Sequence, residues 1–193
     1  MSSKQHTAGN EVPIPNTDLS ILDWGSHAVY VYDTTNNTEI QEKASNAADE
    51  LGSLHGSIED GDGNYAGLLA EFAFSEVFNA ARSPTYEYDC LRGGFTIDIK
   101  TKRRTVAPKP HYEASIADYN TEQNADVYYF TSYNTQTGVI YFLGHLLTDE
   151  YYQKAVFHEK GEKDSDNGFR FKADCYNLRY DELNQVAVEL FYE

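Results

Sequence analysis

The stretch that decides the fold is residues 86–104, YEYDCLRGGFTIDIKTKRR, which we predict to form a β-hairpin. Its two consecutive glycines, Gly93 and Gly94, suit a two-residue turn, in which the central residues need positive φ angles. With these glycines in the turn, Asp89 lies opposite Asp98. Like charges in that position destabilise a strand pair by a few tenths to about 1 kcal/mol. We therefore expect a compensating group nearby.

The two faces of this hairpin differ in chemistry, because successive side chains of a strand point in opposite directions. One face is largely polar and carries Glu87, Asp89, Leu91, Thr96, Asp98 and Lys100. The other is largely apolar and carries Tyr88, Cys90, Phe95, Ile97 and Ile99. Two close carboxylates suit a hard divalent cation with oxygen ligands, which is our leading interpretation. The alternative is a solvated outer face with Lys100 across from Glu87.

The chain has 193 residues and 40% hydrophobic residues, which predicts one domain with a substantial core. We expect residues 1–20 to form a flexible arm and residues 21–193 to form the domain. No apolar run approaches the roughly 18 residues of a membrane span. The first residues, MSSKQHTAGNEVPIPN, lack the layout of a secretory signal. A cytoplasmic protein without membrane contact is expected, in the host cytoplasm if it is viral.

The charge distribution indicates a nucleic-acid partner, although the net charge of −16 argues against one. Residues 82–111 contain seven basic and three acidic residues, a net charge of +4. The remaining residues contain eight basic and 28 acidic ones, a net charge of −20. Such a field would attract a polyanion to one region. A solvated strand edge is the alternative.

The clearest predicted helix is residues 64–80, with Asn64 as its N-cap. Glu71 lies on an apolar stripe of this helix with Phe74 and Phe78, where a carboxylate is costly unless it is paired or binds a metal. Glu76 is a weaker candidate. The alternative for Glu71 is a side chain that reaches solvent at the helix rim.

The other segments predict a central mixed sheet flanked by helices, in a mixed α/β (α+β) domain. The predicted strands are 29–33, 126–144 as a strand pair, 169–178 and 186–192. The predicted helices are 39 to about 52, 113–124 and 148–155, the last capped by Thr148. Cys90 and Cys175 are predicted to be buried thiols. The six histidines show no paired metal-ligand spacing.

A buried helix with Glu71, then Asp89, a Gly-Gly turn and Asp98-Ile99-Lys100 resembles the PD-(D/E)XK nuclease superfamily, which has the restriction-endonuclease-like fold. The resemblance covers about residues 64–144, and the later segments are similar to uncharacterised phage members. It implies that Glu71, Asp89, Asp98 and the Ile99 carbonyl hold Mg²⁺ or Mn²⁺ and that Lys100 assists attack. Those three acids and the lysine are then the catalytic residues. Tyr88 stands where the family's nominal proline would be.

The resemblance implies a metal-dependent endo- or exonuclease that hydrolyses DNA in phage or mobile-element repair, recombination or degradation. Lys102 and Arg104 share a strand face with Lys100 and are expected to contact phosphates. Arg103, which points the other way, and Lys109 complete the nucleic-acid-binding set. The residues leave open an RNA substrate and a homodimer. The alternative function is a non-catalytic nucleic-acid-binding protein, or an acidic DNA mimic, on the same scaffold.

Overall fold

The computed structural model describes residues 19–25, 27–51, 62–83, 85, 87–120, 123–164, 168 and 170–185. The strands in this part of the chain are β1 (Leu19–Asp23), β2 (Ala28–Asp33), β3 (Ala81–Arg82), β4 (Cys90–Arg92), β5 (Phe95–Arg104), β6 (Glu113–Ala117), β7 (Val127–Asn134), β8 (Val139–Leu147), β9 (Val156–His158) and β10 (Cys175–Arg179). The α-helices are α1 (Thr38–Leu51), α2 (Asp62–Phe78) and α3 (Thr148–Lys154), and 3₁₀ turns span Asp118–Asn120 and Tyr180–Glu182.

Seven strands form the main sheet in the order β1-β2-β8-β7-β5-β4-β3, and three form a second sheet in the order β6-β10-β9. β5 and β7 pair in parallel, whereas the other strand pairs are antiparallel. The prediction of a mixed α/β fold around a central mixed sheet is confirmed. No helix in the described residues is long and apolar enough to cross a lipid bilayer.

The predicted hairpin is confirmed in its register, with Cys90 opposite Ile97 and Leu91 opposite Thr96. Gly93 and Gly94 form the turn with φ angles of 55° and 79°, a region that glycine adopts without a steric cost. β4 contains only three residues and begins at Cys90. The edge of β5 is therefore not covered by β4 from Asp98 onward.

The main sheet is buried on both faces. α1 and α2 cover one face, where Leu69, Phe74, Ile97 and Tyr129 are fully buried. Burial of a large apolar side chain contributes about 1.5–3 kcal/mol, so this face anchors α2 firmly. Cys90 lies in the same core, and burial raises the pKa of its thiol to about 12, which fits the predicted inert, buried cysteine.

The second sheet and α3 cover the opposite face, where Tyr128, Phe130 and Tyr151 form a second core. This is the face that carries Asp98 and Lys100. Asp98 is only 3% exposed, so the alternative of a solvated outer face is wrong. The reason is the 3-stranded sheet, which places apolar side chains over residues that the hairpin alone would leave in water.

Several predicted boundaries are wrong. Residues 113–124 were predicted as a helix, but residues 113–120 form β6 and a 3₁₀ turn, because Ala114 and Ile116 alternate into the second core and β10 supplies the pairing. α2 begins at Asp62, so Asn64 lies within its first turn and is not its cap. Thr148 starts α3 but its hydroxyl donates to the Ala125 carbonyl at 2.6 Å rather than capping the helix.

The first strand of the main sheet begins earlier than predicted. β1 begins at Leu19, inside the predicted arm of residues 1–20. It pairs with β2 from Leu19 opposite Tyr32 to Asp23 opposite Ala28. The predicted final strand, residues 186–192, lies outside the described residues.

Candidate active site

Three carboxylates from three elements converge at the edge of β5. Asp98 belongs to β5, Glu71 belongs to α2 on one face of the sheet, and Asp89 precedes β4. The backbone amide of Asp89 donates to the Ile97 carbonyl at 2.9 Å, which holds this segment against β5 after the ladder of β4 has ended. The short β4 thus allows groups from both faces to reach Asp89.

The pKa of the Asp89 carboxyl is raised as a result of this convergence. Burial, and then the charges of Glu71 and Asp98, together raise the pKa of its carboxyl to about 8. Asp89 also shares a side-chain hydrogen bond with Asp98, which is what two adjacent carboxyl groups form when one holds a proton. In the opposite direction, the Ile99 amide donates to Asp89 Oδ2 at 2.7 Å. The structure therefore brings together the three acids that the sequence singled out.

Lys100 provides a positive charge beside these acids. Its Nζ lies 2.6 Å from Asp98 Oδ2, and the lysine and aspartate side chains are only 18% and 4% exposed. The same nitrogen donates to Gln123 Oε1 at 2.6 Å. It also lies 5.9 Å from the centre of the Tyr128 ring. Lys100 is thus fixed next to the carboxylates, with its ammonium pointing toward them.

Arg82 is a second cation at the site, and the sequence analysis missed it. Its Nη2 lies 2.6 Å from Glu71 Oε2, and the two side chains are 24% and 15% exposed. Its guanidinium also lies 3.8 Å from the centre of the Phe72 ring. Two features of the sequence could have indicated this contact. Arg82 lies in the basic region, and it follows Glu71, a glutamate on an apolar helix stripe, by eleven residues. Arg82 compensates the charge that Glu71 brings to the site.

Some of the oxygen atoms at the site are suited to bind a hard divalent cation. Asp98 Oδ2 is buried and has no hydrogen-bond partner among the described residues, although Lys100 lies beside it. The Ile99 carbonyl points to the same strand edge as its amide, which contacts Asp89. Two carboxylates and a carbonyl are oxygen ligands of the kind that such cations take.

Within the described residues, however, no group of three or more histidine, cysteine, aspartate or glutamate side chains is arranged to hold a metal ion. The contacts of the acids explain this. Glu71 contacts Arg82, and Asp89 Oδ2 accepts a hydrogen bond from the Ile99 amide. Glu71 would join a cation only after its carboxylate turned away from the arginine.

The phosphate contacts of Lys102 and Arg104 stay a prediction, and the structure shows that both side chains contact the second sheet. Lys102 Nζ donates to the Glu113 carbonyl and to Ser115 Oγ, both at 3.1 Å. Burial, and then the charge of Arg104, lower the pKa of Lys102 to about 8. These two cations lie between the sheets rather than on an open surface.

Arg104 and the other two predicted nucleic-acid-binding residues lie in different places. The guanidinium of Arg104 is 4.4 Å from the centre of the Tyr112 ring and donates to Tyr180 Oη at 3.3 Å. Arg103 lies near Tyr133, whose ring packs against the first core, so it points away from Lys100 as predicted. Lys109 is exposed in the segment after β5.

No protein-family model matches the chain, and no curated protein matches it. The functional argument therefore depends on the geometry of the site.

The ion pair between Arg82 and Glu71 should stabilise the fold. We expect Arg82→Gln to lower the free energy of unfolding by about 1–3 kcal/mol, since it leaves a shielded carboxylate without its partner. Urea unfolding at pH 7.5 in a chelator measures this. Lys43→Gln is the matched control, because Lys43 is also 2.6 Å from a glutamate but on an exposed helix face, where such pairs contribute less than about 1 kcal/mol. Equal losses in the two variants would contradict the assignment.

Proposed function

We propose that the protein is a Mg²⁺- or Mn²⁺-dependent nuclease that hydrolyses phosphodiester bonds in DNA and acts in the cytoplasm. The observation that carries the proposal is the buried Asp89 carboxyl, whose pKa of about 8 reflects burial and two further carboxylates. Strongly perturbed acids next to a fixed lysine are typical of catalytic sites. A fold has little other use for three neighbouring acids, because their repulsion is destabilising.

The chain's own residues have distinct roles in this reaction. A bound divalent cation neutralises the phosphate charge, lowers the pKa of an attacking water and stabilises the leaving oxygen. Asp89, Asp98 and the Ile99 carbonyl would hold it, with Glu71 as a further ligand. The ammonium of Lys100, now directed at Asp98, would donate to a phosphate oxygen on which charge develops.

The pKa of Asp89 sets the pH dependence of this function. Below about pH 8 the carboxyl is largely protonated and is a poor ligand, so cation binding must release its proton. Cleavage should therefore accelerate as the pH rises from 6 toward 8. Burial, and then the charges of Glu71 and Asp98, keep the proton on Asp89 in the absence of the cation.

The decisive experiment is a cleavage assay on purified protein. Labelled single-stranded, duplex and branched DNA is incubated with Mn²⁺, with Mg²⁺ or with excess chelator. We expect cleavage with either metal and none with chelator, and Asp98→Asn should abolish it. The matched control is Asp149→Asn, which removes an exposed carboxylate on α3 and should leave the rate unchanged. Equal cleavage by both variants would indicate a contaminating nuclease and reject the proposal.

A non-catalytic binding protein, or an acidic DNA mimic, is the second candidate. The observation in its favour is that Glu71 and Asp98 already have internal cationic partners, Arg82 and Lys100. Thermal unfolding separates the two functions. A nuclease should be stabilised by millimolar Mn²⁺ through binding to the folded state, and Asp89→Ala should remove that effect. Absence of stabilisation in the wild type, together with absence of cleavage, would favour the second candidate.

A further inference from the structure

A cleft of about 1010 Å³ lies between β5 and the second sheet. We call it the intersheet cleft, and it is lined by residues of β5, β6 and β10 together with residues 171–173. Ile99 and Lys100 form part of its wall, so it is continuous with the site at Asp98. Whatever occupies this cleft lies directly beside the candidate catalytic residues.

The intersheet cleft is cationic in a protein that is acidic. Its lining includes four basic residues and two carboxylates: Lys100, Lys102, Arg104, Lys172, Glu113 and Asp164. The whole chain has a net charge of −16. The field of the molecule therefore directs a polyanion toward this cleft and away from the rest of the surface.

Aromatic rings line the same space. Tyr112 and Tyr119 belong to its wall, Tyr119 is 53% exposed, and the guanidinium of Arg104 lies over the Tyr112 ring at 4.4 Å. Aromatic and guanidinium planes stack on unpaired bases, whereas cations contact the backbone phosphates. Both kinds of group are here within one cleft. This combination is typical of sites for single strands, because the bases of a duplex are already stacked on one another.

Two buried polar atoms in the wall have no hydrogen-bond partner among the described residues. They are the donor Arg104 Nε and the acceptor Asn177 Oδ1. Buried polar groups normally find partners, so an unpaired donor and an unpaired acceptor in one cleft indicate a ligand that supplies both. Phosphate oxygens accept hydrogen bonds, and the exocyclic amino groups of bases donate them.

The two sheets that bound the cleft are joined by a side-chain contact. Lys102 of β5 bridges to Glu113 and Ser115 of β6 at 3.1 Å. A rigid double helix cannot pass around such a contact, whereas a flexible single strand can. A single strand, with its bases turned toward the rings, needs only the width of one nucleotide.

We propose that the intersheet cleft binds a single-stranded nucleic-acid segment, such as an unpaired end or flap, and leads it to the site at Asp98. Cleavage of the bound strand depends on the proposed function. Binding of the strand in the cleft does not depend on it. The substrate class of the nuclease is then single-stranded or single-strand-tailed DNA. The intact duplex is excluded from the cleft.

Fluorescence anisotropy in a chelator measures binding without cleavage. A labelled 12-nucleotide single strand should bind at least tenfold more tightly than the blunt duplex of the same sequence. Lys172→Glu, at an exposed position of the cleft wall, should weaken single-strand binding at least fivefold. Lys43→Glu is the matched control, because it makes the same charge change at an exposed lysine of α1, outside the cleft, and it should change the affinity less than twofold.

Arg104→Gln provides a second variant and should also weaken binding, since it removes a stacking plane and a charge from the wall. Should Arg104→Gln not fold, the comparison of Lys172→Glu with Lys43→Glu still decides the question. Single-stranded RNA that binds with the same dependence on Lys172 would support the same cleft. Duplex binding as tight as single-strand binding, or equal effects at Lys172 and Lys43, would overturn the inference.

The cleavage assay distinguishes a failure of this inference from a failure of the proposed function. The protein could cleave blunt duplex in a metal-dependent reaction that Lys172→Glu does not affect. That result would support the proposed nuclease activity and reject single-strand binding in the cleft. Single-strand binding that depends on Lys172, without cleavage under any metal condition, would support the cleft and reject the nuclease.

Discussion

Lys100→Met should lower the rate of DNA cleavage by about 10²–10⁴-fold while it weakens the binding of uncleaved DNA less than about tenfold. The ammonium lies 2.6 Å from Asp98 and is largely shielded from water, so its charge acts on a phosphate in a medium of low dielectric. Methionine keeps the length of the apolar stem and removes only the charge and its hydrogen bonds. The interaction that is lost is the one that strengthens as charge develops on the phosphate.

Single-turnover cleavage at saturating DNA measures the chemical step, and anisotropy in a chelator measures binding. The matched control is Lys154→Met on α3, because Lys154 also lies 2.6 Å from an acidic side chain, Glu150, but is more exposed. It should cleave at the wild-type rate. Losses of rate and binding of equal size in Lys100→Met would assign the lysine to DNA binding. An unchanged rate would remove it from the reaction.

The hairpin was predictable because the residues that specify it lie next to one another in the sequence. Two adjacent glycines specify the turn, and the turn sets the register of Cys90 against Ile97. α2 was predictable for a similar reason, since its apolar residues lie along one continuous segment. Its start and its end were each misplaced by two residues, the start because Asn64 resembles a cap.

The second sheet was not predictable from local patterns. β6 contains five residues, too few to establish a period, and its partner β10 lies about 60 residues later in the chain. Its sequence EASIADYN also contains good helix formers. Without the second sheet, Lys102 and Arg104 appear as cations on an open strand face. Its presence turns the same residues into the wall of the intersheet cleft.

The candidate site was predictable in its acids but not in its contacts. Residue type and order pointed to Glu71, Asp89, Asp98 and Lys100, partly through the nuclease resemblance. The Arg82 contact depends on how α2 lies against β3, which no local pattern specifies. The high pKa of Asp89 also requires the packed structure, because its largest cause is burial.

Asp89→Asn should stabilise the protein in a chelator at pH 8 and above, by about 2–4 kcal/mol. The carboxyl has a pKa near 4 in the unfolded chain and about 8 in the folded protein. Between these values the folded state holds a proton that the unfolded state releases, so the stability of the wild type falls as the pH rises from about 4 to about 8. Asparagine cannot ionise, and its carbonyl can still accept the hydrogen bond from the Ile99 amide.

Urea unfolding from pH 5 to pH 9 measures this difference, which should be small at pH 5 and largest at pH 9. Asp126→Asn is the matched control, because Asp126 also accepts a hydrogen bond from a β5 amide, that of Thr96 at 2.9 Å, but it is exposed. It should be neutral or slightly destabilising throughout. A stability difference for Asp89→Asn that does not change with pH would mean that Asp89 is ionised across this range. The three carboxylates would then not share one buried environment, and the main support for a cation site would be lost.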